Sequence, residues 1–127
     1  MKDARTSKAE VSRERRRRYR RGKSAEWLAI LMLAGKGYRI LGRRVTTVAG
    51  EIDIVAARRG RLAFVEVKQR ATLEAAHAAL MSQQRLRIHR AADIWLARHP
   101  NYHDHEMGFD LVLVLPWRLP QHLINAV

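Results

Sequence analysis

The chain has 127 residues, 47% of them hydrophobic, no cysteine and a formal net charge of +13. That is one domain's length with enough apolar content for a core. The missing thiols exclude disulfides and thiolate metal sites, and the charge points to a polyanionic partner, nucleic acid before anionic membrane.

The charge is concentrated at the start, where residues 1–23 hold eleven of the 25 basic residues and three of the 12 acidic ones. Residues 1–22 carry too few apolar side chains to offset the entropy of ordering, so they read as a disordered basic arm ahead of a single domain over residues 23–127. Within the arm, Arg15, Arg16, Arg17, Arg18, Arg20 and Arg21 form a run that attracts phosphate by counterion release, unless it is simply a solvated charge run.

The apolar run Trp27–Ala34 follows. It is far below the ~18 residues that span a bilayer. It starts beside Glu26 and leads into the turn-like Gly35-Lys36-Gly37-Tyr38 without a small-residue cleavage site. A buried helix in a cytoplasmic protein that does not enter a membrane is the expectation. Ser24 is its candidate N-cap, it runs to about Leu33, and Gly35 and Gly37 stop it. It is apolar nearly all round. Glu26, in its first turn, has two readings: an acid at the positive end of the helix dipole, or a side chain reaching toward acids further along.

Tyr38–Val48 reads as a first strand, with Gly42 marking a bulge or bend. The segment Gly50–Lys68 then splits into the apolar runs Ile52–Ala57 and Leu62–Val67 around Arg58, Arg59, Gly60 and Arg61, the signature of a β-hairpin. Strand alternation puts Glu51 and Asp53 on one face, and Glu66 and Lys68 on one face of the next strand. Residues 70–81 are Ala-rich and read equally as a loop or a short helix. Ser82–His99 is a second long helix, with Ile88, Ala91, Ala92 and Trp95 on one side, Arg85 and Arg87 on others, and Pro100 at its end. Phe109–Leu115 has the continuous apolar pattern of a strand buried on both faces. The tail Trp117–Val127 is expected on a sheet edge, and its apolar residues are a candidate homodimer surface. The order αβββαβ requires a crossover, and so an α/β fold with a mixed β-sheet flanked by helices. There is no Gly-rich phosphate loop.

Ionised groups embedded among Ile, Val, Leu and Phe are costly unless they pair or bind a metal. Asp53 and Glu66 on adjacent strands are hard oxygen ligands suited to Mg²⁺ or Mn²⁺, and the Val67 backbone carbonyl is a natural third. Lys68, two residues from Glu66, can orient a water and offset developing negative charge. The competing reading is an ion pair between Lys68 and a carboxylate on a half-exposed sheet.

Asp53 followed after twelve residues by Glu66-Val67-Lys68 resembles the D…(D/E)xK signature of the restriction-endonuclease-like, PD-(D/E)xK nuclease superfamily. Ala25-Glu26, Gly37-Tyr38-Arg39-Ile40-Leu41, Gly50-Glu51-Ile52-Asp53, Phe64-Val65-Glu66-Val67-Lys68 and Phe109-Asp110 together resemble the YraN-like family of small bacterial proteins. The resemblance covers about residues 24–127. It implies a restriction-endonuclease-like core and a metal-dependent endonuclease acting on DNA rather than RNA, with branched or junction DNA as a candidate substrate. On it, Asp53 and Glu66 are the metal ligands, Lys68 the catalytic lysine, and Glu26 the helix-borne acid that completes the site. The chain departs from the family pattern at Arg44, where Asn is expected, and at Gln69, where Thr is common. A catalytically silent nucleic-acid-binding module is the alternative. A second cluster, His99, His103, Asp104, His105 and Glu106, follows Pro100 and reads as an exposed loop before it reads as a metal site.

Overall fold

The computed structural model describes residues 24–81 and 85–127. The basic arm and the expected start of the second long helix at Ser82 lie outside the described residues. Helix α1 covers residues 24–35. It is followed by β1 (Arg39–Thr47), β2 (Gly50–Arg58), β3 (Arg61–Gln69), α2 (Leu73–Met81), α3 (Arg85–Arg98), a 3-10 turn (Pro100–Tyr102), β4 (Glu106–Val114) and β5 (Gln121–Leu123). The expected order is present, with two additions: the Ala-rich segment is helical, and the tail adds a short edge strand.

The five strands lie in the order β1-β2-β3-β4-β5. All neighbours are antiparallel except β3 and β4, which run parallel from Arg61↔Glu106 to Gln69↔Val114. A parallel pair needs a crossover, and α2 and α3 supply it. Layers on both faces follow. On one, Ala25, Ala29 and Leu33 of α1 pack against Ile54, Ala56, Ala63, Val65, Val112 and Val114. On the other, Ile88, Ala91, Ala92 and Trp95 of α3 pack against Val55, Leu62, Phe64, Leu111 and Leu113. Burial of a side chain such as Phe64, fully enclosed here, is worth about 1.5–3 kcal/mol.

The β2–β3 hairpin closes through Arg59-Gly60, with Arg58 opposite Arg61. Both turn residues have positive φ, +45° and +80°. That is the type I′ arrangement, whose twist matches the flanking strands. The bulge anticipated at Gly42 is present, where the β1–β2 register shifts between Ile40 and Gly42.

Two expectations for α1 need correction. Residue 24 is already helical, so Ser24 is not the N-cap. Nor is the helix buried all round, since Trp27, Leu28 and Leu31 are exposed. Its buried stripe is built from two alanines and Leu33, small enough to bring the helix backbone close to the sheet.

Candidate active site

The β2–β3 ladder is continuous from the turn to Ile54↔Val65 and stops there. Beyond that pair β3 continues alongside β4, so the two strands of the hairpin fork. The Asp53 side chain bridges the opening, its Oδ2 accepting from the Val67 backbone N–H at 2.8 Å. A strand N–H lies in the plane of the sheet, and the C=O of the same residue points to the same side. The Val67 carbonyl therefore also faces the fork. Alternation in β2 breaks at this place too: Ile52 and Val55, three residues apart, belong to the same core layer under α3.

On β3, Glu66 and Lys68 continue by alternation the row of Leu62 and Phe64, and both are half-buried. Lys68 Nζ sits 2.8 Å from Glu66 Oε1, an ion pair along one strand rather than across two. Glu26 projects from α1 and is buried. Its Oε2 accepts from Arg44 Nε at 2.9 Å, Arg43 Nε lies 3.9 Å from Oε1, and Oε1 has no hydrogen-bond partner although it is out of contact with solvent. Arg44 reaches it from a left-handed backbone, φ +50°. Asn tolerates that conformation better than most residues, which gives physical sense to Asn as the expected residue there.

The electrostatics of Asp53 tie the four acids together. Its pKa is raised from 3.8 to about 6, chiefly by burial and in smaller part by the charges of Glu66, Glu26 and Glu51, with the Val67 hydrogen bond working the other way. These carboxylates are thus within electrostatic reach of one buried acid. Among the described residues no group of three or more acidic or histidine side chains is gathered tightly enough to hold an ion by itself. The donor set is instead two carboxylates, each with one oxygen already engaged, plus the Val67 carbonyl. That suits a hard cation that keeps several waters, and the unpartnered Glu26 Oε1 and the raised Asp53 pKa are both features a cation would relieve.

Of the basic residues expected to hold nucleic acid, Arg87 is one whose side chain is described, and it packs at the start of β2. It lies over Gly50, three residues before Asp53, so close that a Cβ there would be 2.5 Å from its Nε. Gly50 also has φ +139°, a conformation that side chains rarely adopt. Arg85 opens α3. Arg15, Arg16, Arg17, Arg18, Arg20 and Arg21 lie outside the described residues. In the His99–Glu106 segment the imidazoles serve local structure: His99 Nδ1 donates to the Trp95 carbonyl, His103 Nε2 to the Leu96 carbonyl, and His105 Nδ1 to Asp104. His89 stacks on Phe109 with ring centroids 3.7 Å apart.

Asp110, which no sequence motif marks with a role, is the most enclosed acid of the described residues. It is fully buried and bound by both Arg61 guanidinium nitrogens at 2.7 Å, by His122 Nε2 at 2.8 Å and by the Asn125 N–H at 2.9 Å. Burial opposes its ionisation, but these donors outweigh burial and hold it well below the usual carboxylate range. Its signal in the sequence is an acid beside the apolar run Leu111–Leu115, where the cost of an unpaired buried charge demands a cation.

A mixed sheet between helices, with acids and a lysine at a fork, defines an α/β domain consistent with a nuclease-like core. The chain belongs to the UPF0102, or YraN-like, family: the family model described as "Uncharacterised protein family UPF0102" matches residues 25–114. It is similar to a UPF0102 protein of Mesorhizobium japonicum, 50% identical over 115 residues, covering 91% of this chain and 92% of the relative. A UPF0102 protein of Rhodopseudomonas palustris is 51% identical over 113 residues (89% and 87%). One of Methylorubrum extorquens is 49% identical over 118 residues (93% and 92%).

Proposed function

We propose that this chain is a Mg²⁺- or Mn²⁺-dependent endonuclease that hydrolyses DNA phosphodiester bonds, with branched or junction DNA the first substrates to try. The observation that carries the reading is the fork, where Asp53 bridges to Val67 beside the Glu66–Lys68 pair and has a pKa raised to about 6 by burial and by its acidic neighbours. Asp53, Glu66 and the Val67 carbonyl would hold the cation. When bound, it supplies Lewis acidity toward the phosphate and eases deprotonation of water.

The remaining work falls to the chain's own groups. In hydrolysis a water adds to phosphorus and one P–O bond breaks, leaving a terminal phosphate and a hydroxyl. Lys68, fixed by Glu66, presents its ammonium to the attacking water and to the charge that builds up on the phosphate oxygens. Glu26 adds negative potential from α1 and is itself kept in place by Arg44. Arg87, over Gly50, together with Arg85 and the basic arm, supplies cations to hold the DNA backbone. Such an enzyme works in the cytoplasm with the DNA. No described helix is long and apolar enough to cross a membrane. The exposed Trp117, Leu119 and Ile124 of the tail support a homodimer, which suits cutting of two strands.

Plasmid and four-way-junction cleavage assays with Mg²⁺ or Mn²⁺ test the proposal. Asp53→Asn and Lys68→Ala should each reduce cleavage at least a hundredfold while DNA affinity changes less than threefold. Cleavage at the wild-type rate in both variants would sink it. One observation favours a second reading, a binding module without turnover: Asp53 Oδ2 and Glu66 Oε1 are already engaged within the protein. That module would bind DNA equally with and without divalent ions.

A further inference from the structure

At the far end of β2 from Asp53 the surface opens into a cavity of about 360 Å³ lined by Lys36, Arg39, Arg58, Arg59 and His105. Among the described residues none of the four permanent cations is paired with a carboxylate. Three are held instead by groups that carry no charge of their own or leave the cation's charge uncancelled. Lys36 Nζ donates to His122 Nδ1 at 2.8 Å, and that imidazole uses its other nitrogen on Asp110. Arg39 Nη2 donates to the Tyr102 hydroxyl at 3.0 Å. The Arg58 guanidinium stands 5.9 Å from the centre of the Tyr38 ring. Arg59 projects from the hairpin turn, and His105 is turned toward the exposed Asp104.

Like charges repel unless something brings them into one cleft, and here the fold orients them with neutral donors and rings. A single phosphodiester carries one negative charge, too little to balance four cations. We propose that this cavity binds a phosphate group of higher charge: the terminal monoester of a nucleic acid, or a free pyrophosphate. Arginine forks suit such an anion through paired N–H donors. The cavity lies about 17 Å from Asp53, five residues along a strand at ~3.3 Å each. The proposal therefore stands whether or not the fork cleaves DNA.

The test is calorimetric titration of pyrophosphate into the full chain, in EDTA so that the acidic fork cannot contribute through a metal. The comparison is the double variant Arg58→Gln, Arg59→Asn, which alters only exposed side chains and leaves the turn an Asn-Gly pair. One-site binding that weakens at least tenfold in the variant, with its thermal melt retained, is the expected result. Equal affinity in the two proteins, or no binding in either, would overturn the proposal. Anisotropy with a 5′-phosphorylated oligonucleotide and its 5′-hydroxyl twin then identifies the source. A preference of fivefold or more for the phosphorylated strand, lost in the variant, supports a nucleic-acid end; pyrophosphate binding without that preference supports the free anion.

Discussion

Asp53 and Asp110 show one residue type withdrawn from solvent among opposite partners. Asp110 is enclosed with a bidentate arginine, an imidazole and a backbone N–H, and ionises readily. Asp53 has a single N–H and other acids for company, so its pKa rises to about 6. Between 3.8 and about 6 the folded chain keeps a proton on Asp53 that the unfolded chain has released. Its contribution to stability therefore falls as pH rises through that window, by roughly 2–3 kcal/mol in all. Asp53→Asn, which can still accept from Val67, should match the wild type near pH 4 and exceed its stability by about 1–3 kcal/mol at pH 7.5. Urea denaturation at the two pH values decides it, and a loss of stability at pH 7.5 would contradict it. Asp110→Asn should do the reverse. It leaves Arg61 facing a neutral amide in a half-buried setting and is expected to cost about 3–5 kcal/mol at neutral pH, measurable in the same way.

Among the elements, the hairpin combines a regular end and an irregular one. At the turn, Arg59 adopts a left-handed conformation that Asn adopts more readily. Arg59→Asn alone should raise stability by roughly 0.5–1 kcal/mol, seen as a higher melting temperature. At the fork, Gly50→Ala places a Cβ against Arg87 and strains the backbone, so a loss of about 1–3 kcal/mol is expected from the same melts. The hairpin and the Asp53, Glu66, Lys68 grouping were legible in the sequence because strand alternation and a Gly-containing turn are local signals. The exposure of Trp27 and Leu31 was not, because hydrophobic content around a helix does not say which stripe a sheet will accept, and here the alanines won. The Asp110 network was hidden for another reason. Its partners Arg61 and His122 lie 49 and 12 residues away, so only the β3–β4 and β4–β5 pairings reveal them. Strand β5, three residues long, is too short to show a pattern.

For the whole molecule, the acids around Asp53 lie at one end of β2 and a cavity lined by cations at the other, while much of the +13 charge sits in the first 23 residues. Binding to a 20-base-pair duplex should weaken steeply with salt. Replacing Arg15, Arg16, Arg17 and Arg18 by Gln should lower the slope of log K against log salt by roughly 3–4, at ~0.9 for each phosphate no longer neutralised. Anisotropy across a salt series reads this directly, and an unchanged slope would take the arm off the DNA. The central claim, that the fork is a divalent-cation centre, is tested most directly by calorimetric titration of Mn²⁺ into the full chain and into Asp53→Asn at pH 5.5 and 7.5. The wild type should show one site, tighter at pH 7.5 because the cation displaces the Asp53 proton, and the variant no such site. Equal Mn²⁺ affinity in both proteins, or none in the wild type even with duplex DNA present, would contradict it.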